Sequence, residues 1–142
     1  MRKNIKNNLY TSLGIFLIIF GIQKTFFSLG GIINPLDFLI GFNIELSKYL
    51  SILNGVFLFI CGTLIALRKK YIFNIFPAGS FFLIFLPNGW NVISYGKLVL
   101  LQFLDSKIDT QVIVLLVSQI IYIFLFGMLL LHFSFPKTRE EF

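Results

Sequence analysis

Four long stretches of apolar residues alternate along the chain with short segments that hold most of the charged residues. The stretches cover residues 9–29, 49–67, 71–94 and 111–133. A bilayer core about 30 Å thick requires about 20 apolar residues of helix, so each stretch is long enough to cross it. Lipid offers the backbone no hydrogen-bond partners, and a single apolar stretch therefore has to be helical. The pattern predicts an all-α, polytopic membrane four-helix bundle that forms a single membrane domain over residues 1–142.

The composition supports a membrane protein and argues against several kinds of chemistry. Hydrophobic residues make up 57% of the chain, charged residues only 13%, and the mean hydropathy is +0.89. A soluble domain usually has about 25% charged residues. The single Cys61 and the single His132 exclude a disulfide framework and a classical zinc site. Because the sequence also lacks a Ser/His/Asp arrangement, we expect no metal site, no resident cofactor and no catalysis by this chain alone.

The distribution of charge predicts the orientation of the bundle. The connections after the first and third stretches, together with Lys24 near the end of the first stretch, contain four lysines and four carboxylates, which cancel, so the whole net charge of +6 falls on the other side. Positively charged segments stay on the cytoplasmic side of a membrane. We therefore expect both termini in the cytoplasm of a bacterium, with an organellar membrane as the open alternative. The net positive charge indicates contact with anionic membrane lipids rather than with nucleic acid.

The two outer connections are unusually apolar for loops in water. Residues 30–48 and 95–110 both consist largely of Leu, Ile, Val and Phe. We expect them to lie as interfacial segments over the outer end of the bundle. Short helices are predicted at residues 36–42 and 97–105.

The third stretch contains a second proline two-thirds of the way along, in the sequence Pro87-Asn88-Gly89. Proline removes a backbone donor, and Asn-Gly is a turn signal. Two interpretations are open. The helix either continues with a strong kink or ends at Leu86 and leaves the following residues in the outer interface.

Polar side chains from all four stretches fall at similar depth near the outer end. These residues form the predicted outer polar pocket, for which two interpretations compete. Amides inside a membrane often bond between helices and stabilise the bundle. Alternatively, they bind the head of a lipophilic molecule, such as a quinone or a lipid, with Lys24 donating to a carbonyl and Trp90 stacking. The candidate ligand-binding residues are Gln23, Lys24, Asn54, Asn88, Trp90, Asn91 and Gln119.

Small residues predict where helices pack closely. Gly14 and Gly21 lie seven residues apart on one face of the first stretch, and Gly62 and Ala66 share a face of the second. Neither pair forms a G-x-x-x-G motif, which specifies dimers. We therefore expect these faces to pack within the chain rather than between copies.

The first half of the chain resembles the DoxX-like family of small bacterial membrane proteins. The first stretch has Leu13-Gly14 and then Phe-Gly-Ile-Gln-Lys at residues 20–24, similar to a Leu-Gly and Gly-x-x-Lys pattern in the family. Residues 53–62 are similar to its glycine-bearing second helix. The sequence departs from the family in having no Arg close to the start of the first helix and in having Asn54 where a Glu is frequent. The resemblance implies an accessory role beside quinone-coupled oxidoreductases.

These observations lead to one functional expectation and two alternatives. We expect an accessory or assembly subunit of a membrane complex, with other subunits as partners and a quinone as the candidate lipophile. The alternative is a small oligomeric transporter or channel built around the outer polar pocket. A holin-like pore former is a third hypothesis.

Overall fold

The computed structural model describes residues 1–142, apart from the side chain of Arg2, and its regular elements are all helices. Two α-helical segments and a π-helical segment between them join without interruption and form one continuous span over Ile72–Leu104. In chain order the elements are α1 (Arg2–Leu29), α2 (Ile44–Ala66), α3 (Ile72–Ser80), the π-helical segment (Phe81–Phe85), α4 (Leu86–Leu104), α5 (Thr110–Ser134) and α6 (Pro136–Glu141).

Four of these helical stretches are long and apolar enough to cross a membrane, which confirms the predicted all-α, four-span architecture. Large apolar side chains such as Phe16, Phe82 and Phe124 lie exposed on the outside of the bundle. In a bilayer these side chains face lipid, so their exposure costs nothing there. The four candidate spans are Lys3–Leu29, Ile44–Ala66, Ile72–Leu104 and Thr110–Ser134.

The bundle has two ends that differ in structure. Both termini lie at one end, where the Lys6 Nζ atom is 2.8 Å from the Glu141 Oε2 atom. The connection at residues 67–71 lies at the same end. We call this the terminal end. The connections at residues 30–43 and 105–109 lie at the opposite end, which we call the loop end.

The third span does not end at Leu86, so the structure selects the continuous helix. The backbone N–H of Leu86 donates to the carbonyl of Phe81, five residues earlier, which is the π-helical pattern. π-Bulges and prolines commonly occur together with kinks, where one hydrogen bond of the helix is missing. Residues 97–105 do not form a separate interfacial helix either, because residues 97–104 are the last turns of α4.

Helices α1 and α2 pack closely through glycine. A Cβ atom placed on Gly62 would lie 2.6 Å from the carbonyl oxygen of Gly14, and one on Gly21 would lie 2.5 Å from that of Gly55. No real side chain tolerates such contacts, so the two backbones touch directly. The prediction that these small residues pack within the chain is confirmed.

The loop 30–43 is irregular, and the short helix predicted at residues 36–42 is wrong. Asn34 accepts a hydrogen bond from the N–H of Leu36 through its side chain and one from Asp37 through its backbone, which makes a turn. Gly41 then adopts a positive φ of 82°, which a helix does not permit. The loop therefore lies on the bundle as turns whose backbone groups need partners elsewhere.

Candidate functional site

A buried ion pair lies at the loop end of the bundle. Lys24, near the end of α1, places its Nζ atom 2.7 Å from the Oδ1 atom of Asp37, in the loop 30–43. Only 3% and 4% of the two side chains are exposed. Nζ also donates to the hydroxyl of Tyr122 on α5, at 3.2 Å. Because an unpaired buried charge is very costly, the two residues hold the loop against the helices.

Two serines complete the surroundings of the carboxylate. The Oγ–H of Ser51 on α2 donates to the Oδ2 atom of Asp37 at 2.9 Å. The Oγ–H of Ser28 on α1 donates to the Oγ atom of Ser51 at 2.7 Å. Both carboxylate oxygens therefore have a donor, and one chain of hydrogen bonds connects α1, α2, α5 and the loop. Connected networks of this kind fix a single arrangement of the helices that contribute to them.

The residue pattern predicted Lys24 as part of the outer polar pocket but indicated Asp37 only as one of the charges of the outer connections. Asp37 is the single charged residue between Lys24 and Glu45, within an otherwise apolar segment. This isolation was the signal that could have identified it as a buried partner. Ser28, Ser51 and Tyr122 also belong to the site, and nothing in their sequence context distinguished them.

Asn91 and Trp90 of α4 bind the backbone of the loop. The Asn91 Nδ2 atom donates to the carbonyl of Phe38 at 2.9 Å, and its Oδ1 atom accepts from the N–H of Ile40 at 3.3 Å. The Trp90 Nε1 atom donates to the carbonyl of Ile40 at 2.9 Å. The Trp90 ring remains 47% exposed and packs edge-on against Phe42. Both residues thus supply hydrogen-bond partners to backbone groups of the loop, which has no regular secondary structure to satisfy them.

Gln119 and Ser47 bind the loop from two other helices. The Gln119 Nε2 atom on α5 donates to the carbonyl of Leu36 at 2.9 Å. The Ser47 Oγ atom on α2 accepts from the N–H of Leu39 at 2.9 Å. The loop is therefore bonded to α1, α2, α4 and α5 around its circumference, and it closes the loop end of the bundle.

Asn54 and Asn88 do not reach the loop. The Asn54 Nδ2 atom donates to the carbonyl of Leu83, and the Asn88 Nδ2 atom donates to the carbonyl of Ile84. Both amides therefore satisfy backbone carbonyls of the π-helical segment in the third span. Within the described part of the chain, the side-chain oxygens of Asn54, Asn88 and Gln119 are buried without a hydrogen-bond partner.

A cavity of about 280 Å³ lies beside the ion pair. Gln23 is exposed on α1 and lines this cavity, so of the predicted residues only Gln23 and Lys24 border it. Its wall combines polar side chains with the apolar side chains of two aromatic and three aliphatic residues. The lining residues are Phe20, Gln23, Lys24, Phe27, Ser28, Ile32, Ile33, Asn34, Pro35 and Ser51.

The cavity places hydrogen-bonding side chains beside apolar ones. The Lys24 ammonium carries three N–H donors, and two of them are used by Asp37 and Tyr122. One donor is left for an acceptor in the cavity, and the Gln23 amide offers both a donor and an acceptor. Among the described residues no group of three His, Cys, Asp or Glu side chains is placed to hold a metal ion.

No family model, curated protein or solved structure matches this chain. The DoxX-like resemblance therefore stays a prediction from the residues that carry it. Three of these residues have defined places in the fold, since Gly14 and Gly21 contact α2 and Lys24 forms the buried ion pair.

Proposed function

We propose that the protein is an accessory subunit of a membrane complex and that it binds the polar head of an isoprenoid quinone at the loop end of its bundle. The observation that carries the proposal is the cavity beside the Lys24–Asp37 ion pair, which combines one remaining ammonium donor with an apolar wall. Such a combination of apolar lining and a few placed polar groups is typical of sites for small lipophilic ligands.

The geometry supports a specific mode of binding. A quinone carbonyl would accept a hydrogen bond from Lys24 or from the Gln23 amide, and the ring would contact Phe20 and Phe27. Phe27 is 50% exposed and Ile32 is 64% exposed, so the cavity opens to the outside of the bundle. An isoprenoid tail would meet lipid there. This chain would bind and orient the ligand, while redox chemistry would belong to the quinone and to a partner subunit.

Two observations support the accessory role: the resemblance to DoxX-like proteins and the exposed surface of α5. Only 17% of the apolar stretch of α5 is buried within this chain, although it is the most hydrophobic of the four spans. The rest of its surface is open to lipid or to another subunit.

The proposal is tested by purification from native membranes in mild detergent, followed by mass spectrometry of bound proteins and lipophiles. We expect a quinone and a redox partner in stoichiometric amounts. Gln23→Leu should lower quinone occupancy severalfold, because Gln23 lines the cavity without taking part in the ion-pair network. Gln111→Leu, a change at an exposed glutamine of the same end outside the cavity, is the matched control.

A different outcome would favour the transporter or channel hypothesis. A homo-oligomer that carries only bulk lipid and conducts a solute in liposomes would refute the accessory role. Equal quinone retention in Gln23→Leu and the unmodified protein would refute the location of the site.

A further inference from the structure

A cleft of about 430 Å³ with basic walls lies at the terminal end, on the opposite side of the membrane from the cavity described above. Three of its lining residues are cationic, and they come from α1 and from the connection after α2. Two acidic residues of α6 border it. The lining residues are Lys3, Lys6, Asn7, Tyr10, Arg68, Glu140 and Glu141.

Arg68 has an unusual backbone conformation for its residue type. It follows the end of α2 with a φ of 56°, in the left-handed region. The N–H of Lys69 bonds to the carbonyl of Leu64, and the N–H of Arg68 bonds to the carbonyl of Ile65. This pair of bonds is the Schellman motif, in which glycine is the usual residue at the left-handed position. The backbone alone would favour glycine here, so the backbone conformation does not explain an arginine at this position.

The side chain of Arg68 is held in a defined place within the cleft. Its guanidinium carbon lies 4.3 Å from the centre of the Tyr10 ring. Its Nη2 atom donates to the Oδ1 atom of Asn7 at 2.9 Å and to the carbonyl of Lys6 at 3.4 Å. In the part of the chain that the structure describes, these bonds leave Nε and Nη1 free. A guanidinium that is already positioned, with free N–H groups on Nε and Nη1, can donate charge-assisted hydrogen bonds to a phosphate.

We propose that this cleft is a binding site for the phosphate of an anionic phospholipid, with Arg68 as its central donor and Lys3 as a second cation. Lys3 is exposed and, among the described side chains, forms no ion pair. Ile5 and Leu9 lie exposed on the same turns of α1 as Lys6 and Tyr10 and present apolar surface to acyl chains. The cleft is therefore placed at the depth of lipid headgroups. Basic pockets at this depth bind anionic headgroups in other membrane proteins.

Glu141 limits access of an anion to the cleft. It is paired with Lys6 at 2.8 Å, and this hydrogen bond holds the pKa of the Glu141 carboxyl below its usual range. The carboxylate thus occupies Lys6 at neutral pH. A phosphate binds Arg68 and Lys3 first and competes with Glu141 for Lys6. Removing this carboxylate should strengthen lipid binding.

The test uses the full chain in lipid nanodiscs that contain phosphatidylglycerol and phosphatidylcholine in equal amounts. After extraction in mild detergent at 150 mM salt, native mass spectrometry measures the ratio of the two lipids retained per protein. We expect Arg68→Gly to lower the retention of phosphatidylglycerol about tenfold, because hydrogen bonds between charged groups are lost. Lys3→Gln should lower it severalfold, and Glu141→Gln should raise it. The Arg68→Lys variant should retain less phosphatidylglycerol than the unmodified protein.

Lys70→Gln is the matched control, since Lys70 is exposed at the same end but does not line the cleft. An equal loss in Lys70→Gln and Lys3→Gln would refute the site, since general attraction to basic residues would explain both. Unchanged retention in Arg68→Gly and Lys3→Gln would also refute it. Lys3 is exposed, so its variant should fold even if Arg68→Gly does not. Displacement of the lipid by millimolar inorganic phosphate would identify a free-anion site and overturn the lipid assignment.

Discussion

Asn54 of α2 supplies the hydrogen bond that Pro87 withholds from its own helix. A helical residue at position 87 would donate its N–H to the carbonyl of Leu83, four residues earlier, but proline has no N–H. The Nδ2 atom of Asn54 donates to that carbonyl at 3.1 Å. Unsatisfied carbonyls are very costly inside a membrane, so a side chain of another helix stabilises the third span at the position where Pro87 has no N–H.

This relationship predicts that the effects of changes at the two positions depend on each other. Asn54→Leu should lower the free energy of unfolding by about 1–2 kcal/mol, because the Leu83 carbonyl loses its donor. In a Pro87→Ala background the loss should be smaller, since the introduced alanine can donate its own N–H. Thermal unfolding of the two single variants and the double variant in detergent measures the coupling. Strictly additive effects would show that Asn54 does not compensate for Pro87.

The buried ion pair predicts an asymmetric response to substitution. Lys24→Met should destabilise the protein by about 3–5 kcal/mol, because it leaves the Asp37 carboxylate buried beside only one serine donor. The double variant Lys24→Met with Asp37→Asn should recover much of that loss, since no buried charge remains. Thermal unfolding in detergent measures both. A double variant that is less stable than Lys24→Met would contradict the assignment of the pair.

The close contact between α1 and α2 predicts which glycines cannot be replaced. Gly62→Ala would place a Cβ atom 2.6 Å from the Gly14 carbonyl oxygen, so the helices must separate. We expect a loss of about 1–3 kcal/mol in unfolding free energy, as for other overpacked sites. Gly96→Ala is the control, because no atom lies within 4 Å of the added Cβ. Comparable melting temperatures for the two variants would argue against this packing.

The hydrogen bonds to the loop predict that its closure can be weakened without unfolding the bundle. Gln119→Leu removes the donor to the Leu36 carbonyl, so the loop should open more often. A cysteine introduced as Leu39→Cys, at a position that is 6% exposed, should then react faster with a maleimide reagent. Ser118→Ala, at the neighbouring half-buried position whose hydroxyl bonds within α5, should leave the rate unchanged. If both variants react equally, Gln119 does not hold the loop.

The charge distribution predicts the orientation of the bundle, which cysteine labelling can test. Lys69→Cys at the terminal end should react only with reagents that reach the cytoplasm, and Lys107→Cys at the loop end only with external reagents. Native Cys61 is fully buried and should not interfere. Labelling of both positions from the same side would rule out the four-span topology, and the reverse pattern would place the termini outside.

The sequence by itself determined the class of fold and the number of spans. An apolar stretch of about 20 residues must form a helix in lipid, because lipid offers its backbone no hydrogen-bond partners. The pattern of residues was therefore sufficient to predict the spans. It also identified the glycine face of α1, because only small residues allow close packing there. It was less reliable at helix ends, since α1 begins at Arg2 and α4 continues to Leu104, where neither lipid nor a proline sets the limit.

The tertiary structure alone decided how the polar groups are used. The sequence predicted that seven polar side chains lie at similar depth in the membrane. It did not reveal that Asn91, Trp90 and Gln119 bind the loop or that Asn54 binds the third span. It left Asp37 among the surface charges. A hydrogen bond depends on distances of about 3 Å between atoms that are far apart in the chain. Residue patterns fix how deep a side chain lies, but only the packed helices fix which partner it meets.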